Sequence, residues 1–303
     1  MTTEASVVFN GDWNKTMATL TAEQIERFRN EGVLVVENAI TPALLARLRA
    51  DFAGWVEESR GRESAYGETI DGKPRFDLEP GHSAEHPALR RVNAPPEVSE
   101  AAYEAVTDSA MVDWVAELIG PDLRFHHCKI NSKLPGTATA VKWHQDFAFT
   151  PHSNDDLVTA LLMLDEVTEE NGPLRVMPGT HRGPLHSLWH DGSFTGAVEP
   201  ALEEEFEAGA VSCTGPAGAV CFMHTRLAHG SAPNRSTLPR TLLIAVYAAA
   251  DAIACSPNPM PSRYEGLLVR GQEPNRIRCI DYEVEMPALP KTASFFNQQA
   301  GVD

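Results

Sequence analysis

Trp143-His144-Gln145-Asp146 places an imidazole and a carboxylate two residues apart. In an extended strand, residues i and i+2 project from the same face, so this pair can grip one metal ion side by side. His229, in the run Arg226-Leu227-Ala228-His229-Gly230-Ser231, ends a later β-prone stretch just before a turn and supplies a third ligand. Two imidazoles and one carboxylate on one face of an octahedron leave three positions open. That arrangement suits a non-haem Fe(II) centre that activates oxygen.

Those open positions define the chemistry. A 2-oxo acid such as 2-oxoglutarate takes two of them through its keto-acid group, and O2 takes the third. Decarboxylation then yields succinate, CO2 and an oxidant strong enough to attack a C–H bond, with the protein supplying geometry and exclusion of side reactions. A His-x-Asp recurs by chance, and a lone His229 is more often structural. Arg240 discriminates. It lies eleven residues beyond His229, at the start of the apolar run Thr241–Tyr247, where its guanidinium can pair with both oxygens of the distal carboxylate of 2-oxoglutarate. Ser231 can add a hydroxyl to the same carboxylate. A redox-silent cupin-type hydrolase or isomerase holding Zn(II) or Mn(II) would need no such anchor, and a non-catalytic ligand-binding jelly roll would be expected to have lost a ligand.

Other residues are candidates for the substrate pocket. Phe147 and Phe149 follow the ligand pair, but Phe149 shares the ligand face only if the strand breaks after Asp146. Trp189 lies in a segment, 183–210, that interrupts the β pattern and suits a pocket wall. Arg263, in a Pro-rich loop, is a partner for an acidic substrate. Phe149, Trp189 and Arg263 are therefore the expected substrate contacts. Strand alternation predicts that His126 and His127 point to opposite faces, and that His224, five residues before His229, points away from it.

The elements that must carry these residues fall into two halves. Residues 21–31 read as a helix capped by Thr21 or Thr19 and stopped by Gly32, with Leu20, Ile25 and Phe28 as its apolar face. Val33–Val36 reads as a strand, and Thr41 caps a second helix over 42–59. Residues 60–98 show no periodicity and are expected to form a long loop. A third helix is expected over 97–119, ending at Gly120-Pro121. From there, short β-prone runs alternate with turn signals such as Glu170-Asn171-Gly172-Pro173. The pattern predicts a single domain spanning 1–303: a helical part about 20–120, a β core of jelly-roll type about 121–250, and a C-terminal loop region about 251–303.

Composition bounds the partners. The 303 residues carry a formal charge of −17, with 43% hydrophobic and 22% charged residues. This is an ordinary globular composition whose acidity argues against nucleic acid and against anionic membranes. No apolar run is long enough to span a bilayer, and residues 1–15 contain no secretory pattern. Five scattered cysteines without a CxxC suit free thiols, and a cytoplasmic location is expected. The partner is a small molecule.

The three segments WHQD, NGPLRVMPGTHR and HGSAPNRSTLPR together resemble the phytanoyl-CoA dioxygenase family of Fe(II)/2-oxoglutarate oxygenases, over about residues 22–270. The resemblance implies that His144, Asp146 and His229 are the iron ligands and that Arg240 anchors 2-oxoglutarate. It also implies a mainly β fold with flanking helices around a double-stranded β-helix (cupin-like) core. Asn131 and His127, on a strand before the ligand pair, are implied to lie near the 2-oxoglutarate. Related halogenases replace the carboxylate ligand with Gly or Ala; Asp146 is retained here, so oxygenation is favoured, with hydroxylation of a small molecule, as in secondary metabolism, the expected outcome. Substrates in this family run from acyl-CoA thioesters to amino-acid-like solutes.

Overall fold

In the computed structural model the described residues are 19–135, 140–288 and Gln299; the expectation for residues 1–15 lies outside them. Helix α1 (Ala22–Glu31) starts from Thr21, whose hydroxyl accepts the Gln24 backbone N–H while the Gln24 side chain accepts that of Thr21. The pair satisfies two donors that the first turn would otherwise leave open. Gly32 ends the helix at φ 77°, and β1 (Val33–Val36) follows at once. Helix α2 (Pro42–Ser59) is capped by Thr41 and buries Leu44, Leu48 and Phe52.

The expected long loop over 60–98 is instead largely β structure. It contains β2 (Tyr66–Glu68), β3 (Pro74–Leu78) and β4 (Leu89–Asn93), paired antiparallel in that order, and β4 pairs with the next strand of the chain. These strands lack apolar alternation because their buried positions are charged. Arg75 pairs with Glu97 at 2.6 Å and Arg90 with Asp77 at 2.6 Å, all four side chains being at most 10% exposed. Buried charges of this kind persist only when paired. The expected single helix over 97–119 is two: α3 (Glu100–Thr107), capped by Ser99, and α4 (Ala110–Ile119). The break falls at Asp108-Ser109, where both residues leave helical geometry and Ser109 Oγ donates back to the Ala105 carbonyl.

The remaining elements are β5 (Leu123–Lys133), β6 (Val141–His144), β7 (Leu157–Met163), β8 (Leu174–Val176), a small hairpin of β9 (Trp189–His190) and β10 (Ser193–Phe194), α5 (Pro200–Gly209), β11 (Val211–Cys213), β12 (Val220–His224), β13 (His229–Ser231), β14 (Arg240–Ala249) and β15 (Leu268–Arg270). The last lies in the region expected to be loop and pairs with β5. Two antiparallel sheets result. The larger runs β1-β12-β7-β14-β5-β4-β3-β2, and the smaller runs β11-β8-β13-β6. This is the jelly-roll, double-stranded β-helix arrangement with flanking helices.

Alternation along β7 and β14 explains the layering. Val158, Ala160, Leu162, Leu243, Ala245 and Tyr247 pack in the core shared with the helices. Leu161, Met163, Leu242 and Ile244 point the other way, into a second core between the sheets. Both strands are buried on both faces, which is why they read as continuous apolar runs. Among the described residues no helix is long and apolar enough to cross a membrane.

Candidate metal centre

β6 delivers His144, and the chain leaves the sheet immediately afterwards. Gln145 is extended (φ −121°, ψ 124°), so His144 and Asp146 still share a side, but Asp146 opens a 3-10 turn through Ala148. β13 pairs antiparallel with β6 and sets His229 directly opposite His144. The ligand atoms of His144, Asp146 and His229 all lie within 4.8 Å of one another. Asp146 Oδ1 stands 3.5 Å from His144 Nε2 and 3.6 Å from His229 Nε2. Ligands at about 2.1 Å from one ion and at right angles would be roughly 3 Å apart, so a small contraction onto a metal suffices.

Backbone and side-chain bonds set the tautomers and the carboxylate. Each histidine donates its Nδ1–H to a carbonyl two residues back, His144 to Lys142 at 2.7 Å and His229 to Leu227 at 3.0 Å. Both Nε2 lone pairs therefore face the centre. Thr159 Oγ1 donates to Asp146 Oδ2 at 2.8 Å. Burial raises the Asp146 pKa, but the His229 and His144 rings outweigh it and hold the carboxyl well below the usual range. Burial and the neighbouring His144 push His229 down to about 4. At neutral pH Asp146 is an anion and His229 a neutral imidazole, the forms a metal ion binds. The donor set and its geometry fit an iron ion.

The cavity beside the centre runs between the sheets to Arg240. Arg240 is 4% exposed, and its Nε and one terminal nitrogen donate to the Gly172 carbonyl at 2.8 and 2.6 Å. Burial lowers its pKa to about 10, so it remains a cation. Ser231 and Asn131 line the same cavity. Lys133 also reaches this end, donating to Ser231 Oγ at 2.8 Å and to the Ala232 carbonyl. Burial and the nearby Arg240 pull its pKa down to about 6. Lys129 lines the cavity closer to the metal ligands, with its pKa lowered to about 8 by burial and by Arg91. Neither lysine was among the candidates read from sequence, nor was Thr159. The signal for the lysines was present: His127, Lys129, Asn131 and Lys133 occupy alternate positions of one strand, with Cys128 and Ile130 facing the core between them.

Other candidates fare unevenly. The break after Asp146 brings Phe149 edge-on to His144, ring centroids 5.5 Å apart, while Phe147 is fully buried in the core. Trp189 is separated from the metal site by Phe194, which contacts both Trp189 and Phe149 at 5.4 Å. It lines a different cavity of about 320 Å³, bordered by Leu185, Phe194 and Glu285. Arg263 lines neither cavity. It is exposed and tied to Glu97, donating to the Glu97 carbonyl at 2.7 Å, so the substrate contact expected of it finds no support in the geometry. His127 is absent from the lining of the metal cavity. The expectation that His126 and His127 face opposite ways fails because a bulge falls opposite Val246 and Tyr247; the two rings touch, Nδ1 to Nδ1 at 2.6 Å. His224 is separated from His229 by a turn between strands of different sheets, not by alternation along one strand; its ring lies beside His181.

A family model described as phytanoyl-CoA dioxygenase (PhyH) matches residues 28–242. The chain belongs to the phytanoyl-CoA dioxygenase family. It is 32% identical over 271 residues to a probable alpha-ketoglutarate-dependent hypophosphite dioxygenase of Stutzerimonas stutzeri, covering 88% of this chain and 92% of that one. It is 29% identical to the L-proline trans-4-hydroxylase of Streptomyces griseoviridis, covering 68% and 86%. The structure of EctD from S. alaskensis with bound Fe superposes with a TM-score of 0.62 at 22% identity, over 93% of this chain and 92% of that one, and shares the fold. Like its relatives, this phytanoyl-CoA dioxygenase family member is a non-haem Fe(II) enzyme that uses 2-oxoglutarate and O2 to oxidise a small molecule.

Proposed function

We propose that this enzyme hydroxylates a small, polar, water-soluble compound, with His144, Asp146 and His229 holding the iron and Arg240, Ser231 and Asn131 holding 2-oxoglutarate. The observation that carries the reading is that one cavity joins the three ligands to a buried arginine. When bound, the iron and its cosubstrate supply the oxidation, releasing succinate and CO2. The residues of the chain do the rest. Arg240, oriented by the Gly172 carbonyl, takes the distal carboxylate, and the Ser231 hydroxyl, held by Lys133, turns toward the same group. Leu161, Leu242 and Ile244 wall the cavity with apolar surface, which limits water and strengthens each charged contact. Phe149, packed on His144, borders the approach to the metal, and Trp189 with Phe194 forms the outer wall behind it.

The relatives named for hypophosphite, L-proline and ectoine support a compact polar substrate over a long acyl thioester. We place the enzyme in the cytoplasm, where a reducing environment suits five cysteines none of which is bonded to another. The helical part and the β core act as one unit in this reading, because their apolar residues share a core.

The test is spectroscopic. Fe(II) and 2-oxoglutarate are added to the metal-free protein without oxygen. A weak visible charge-transfer band that needs both components and is lost in Asp146→Ala is expected. Stoichiometric metal binding by folded protein with no such band would overturn the assignment.

A further inference from the structure

The strand that carries His144 is irregular at the residues just before it. From His229 to Ser231, β13 advances two residues, while its partner β6 steps back three, from His144 to Val141. The extra residue makes a bulge at Lys142-Trp143, the kind of local kink that re-aims a side chain beside a site. A bulge takes backbone groups out of the ladder, and buried ones must find other partners. Here those partners come from outside the strand ladder. The Trp143 carbonyl accepts the Val198 N–H at 2.8 Å. The Lys142 carbonyl accepts the Nδ1–H of His144 at 2.7 Å, and the Lys142 N–H donates to Oε1 of Gln299 at 3.0 Å.

Gln299 stands 157 residues along the chain from Lys142 and is 6% exposed. Its carboxamide is used at both ends. Beside the bond from Lys142, its Nε2 donates to the Gly196 carbonyl at 2.7 Å and lies 3.5 Å from the Lys142 carbonyl oxygen, the acceptor that also holds His144. Two carbonyls face the nitrogen and one N–H faces the oxygen, so a single orientation of the amide fits. An apolar side chain would fill the same space without desolvating an amide; what the amide adds is a bridge from the bulge to Gly196. Gly196 in turn meets Phe149: a Cβ on it would stand 3.2 Å from Phe149 Cζ and 3.7 Å from Gln299 Cγ. Phe149 packs edge-on against the His144 ring, centroids 5.5 Å apart. One side chain therefore reaches both supports of His144: the carbonyl that fixes its tautomer, directly, and the aromatic ring beside it, through Gly196.

We propose that Gln299 is a positioning residue of the metal centre: its carboxamide fixes the β6 bulge and Gly196, and so sets where His144 Nε2 and the Phe149 ring stand. The inference rests on the ligand assignment proposed above and extends it to a residue outside the ligand set. Gln299 acts through Lys142. With the amide gone, the Lys142 peptide is free to rotate, its carbonyl leaves the His144 Nδ1–H, and the imidazole loses the bond that turns Nε2 toward the ion. His229 is held instead by the Leu227 carbonyl at 3.0 Å, in the turn between β12 and β13, and is not reached by this change.

The experiment uses the full metal-free chain as wild type, Gln299→Met and Gln299→Asn, each titrated with Co(II) without oxygen. Methionine has a similar volume and no amide; asparagine keeps the amide on a shorter arm. Gln299→Met should bind Co(II) about 3- to 10-fold more weakly, the equivalent of one neutral hydrogen bond, and Gln299→Asn should fall between it and wild type. At saturating Co(II) the visible absorption of Gln299→Met should be shifted or broadened, because the imidazole is less firmly aimed. Urea midpoints of the metal-free proteins separate this role from simple packing. A Gln299→Met protein that loses stability but keeps the wild-type Co(II) constant and spectrum would overturn the proposal, and so would one that matches wild type in all three. Should Gln299→Met not fold, Gln299→Asn carries the same comparison. Wild type that binds no Co(II) would instead overturn the ligand assignment, and this proposal with it.

Discussion

The Thr159 hydroxyl donates to Oδ2 of Asp146 at 2.8 Å, which leaves Oδ1 of the same carboxylate turned toward His144 and His229. One β7 side chain thus sets which carboxylate oxygen faces the two histidines. Thr159 is 1% exposed, so no water replaces its hydroxyl in a Thr159→Val variant. Metal affinity should fall by about 10- to 100-fold, the usual loss for an outer partner of a ligand, and Thr159→Ser should restore most of it. A Fe(II) or Co(II) titration that gives the same dissociation constant for Thr159→Val and wild type would remove this role.

Removing a ligand and removing the anchor should give different phenotypes. His144→Ala or Asp146→Ala should abolish turnover together with the visible band. Arg240→Ala should leave metal binding intact and raise the 2-oxoglutarate requirement by about 10- to 150-fold, as expected for a lost hydrogen bond between charged groups. Steady-state kinetics over a range of 2-oxoglutarate concentrations distinguishes the two. An Arg240→Ala enzyme with an unchanged requirement would break the anchor assignment.

The metal-free protein should lose stability in mild acid. Burial pushes His126 to about 3, and His224 and His229 to about 4, while His127 lies well below its ordinary value. Unfolded histidines take up protons near pH 6.5, so between that pH and about 4 the unfolded chain binds more protons than the folded one. Stability then rises with pH across this window and is lost as pH falls through it, by up to about 1.4 kcal/mol per pH unit for each such histidine. Urea midpoints measured at pH 7 and pH 4.5 check this. Equal midpoints would mean that these rings accept protons without disturbing the fold.

Those same residues show what sequence could and could not reveal. That His144, Asp146 and His229 come together beside Arg240 was legible because an i, i+2 pair shares one side of a strand and the other two lie at the ends of neighbouring β-prone runs. The caps at Thr21 and Thr41 were legible because they are local chemistry. Strands β2, β3 and β4 were not, since Arg75, Arg90 and Asp77 occupy buried positions that alternation assigns to apolar residues. Nor was the contact between His126 and His127, because a bulge is set by the partner strand, here at Val246 and Tyr247. Lys129 and Lys133 share the alternation of β5, but it is the pairing of that strand with β14, setting Lys133 opposite Arg240 and Lys129 opposite Ile244, that brings them to the cavity.

The turn at Gly172 offers the sharpest test of how the cosubstrate end is built. Gly172 has φ 81°, a conformation that an L side chain adopts only at a cost of roughly 1 kcal/mol. A Cβ there would stand 2.6 Å from the Ala232 carbonyl oxygen and 3.2 Å from Lys133 Cδ and the Pro233 carbonyl carbon. The first contact is with backbone and cannot be relieved by rotating a side chain. The atoms that must yield carry Ser231 and Lys133, and the Gly172 carbonyl itself receives both Arg240 bonds. Gly172→Ala should therefore tilt the guanidinium and raise the 2-oxoglutarate requirement at least as much as it lowers stability, while His144, Asp146 and His229, held by their own carbonyl and hydroxyl partners, keep their metal affinity. Parallel titrations of metal and of 2-oxoglutarate decide it. A Gly172→Ala protein that loses metal and cosubstrate together would mean that the turn supports the whole inter-sheet cavity, and that the arginine end is not separately positioned.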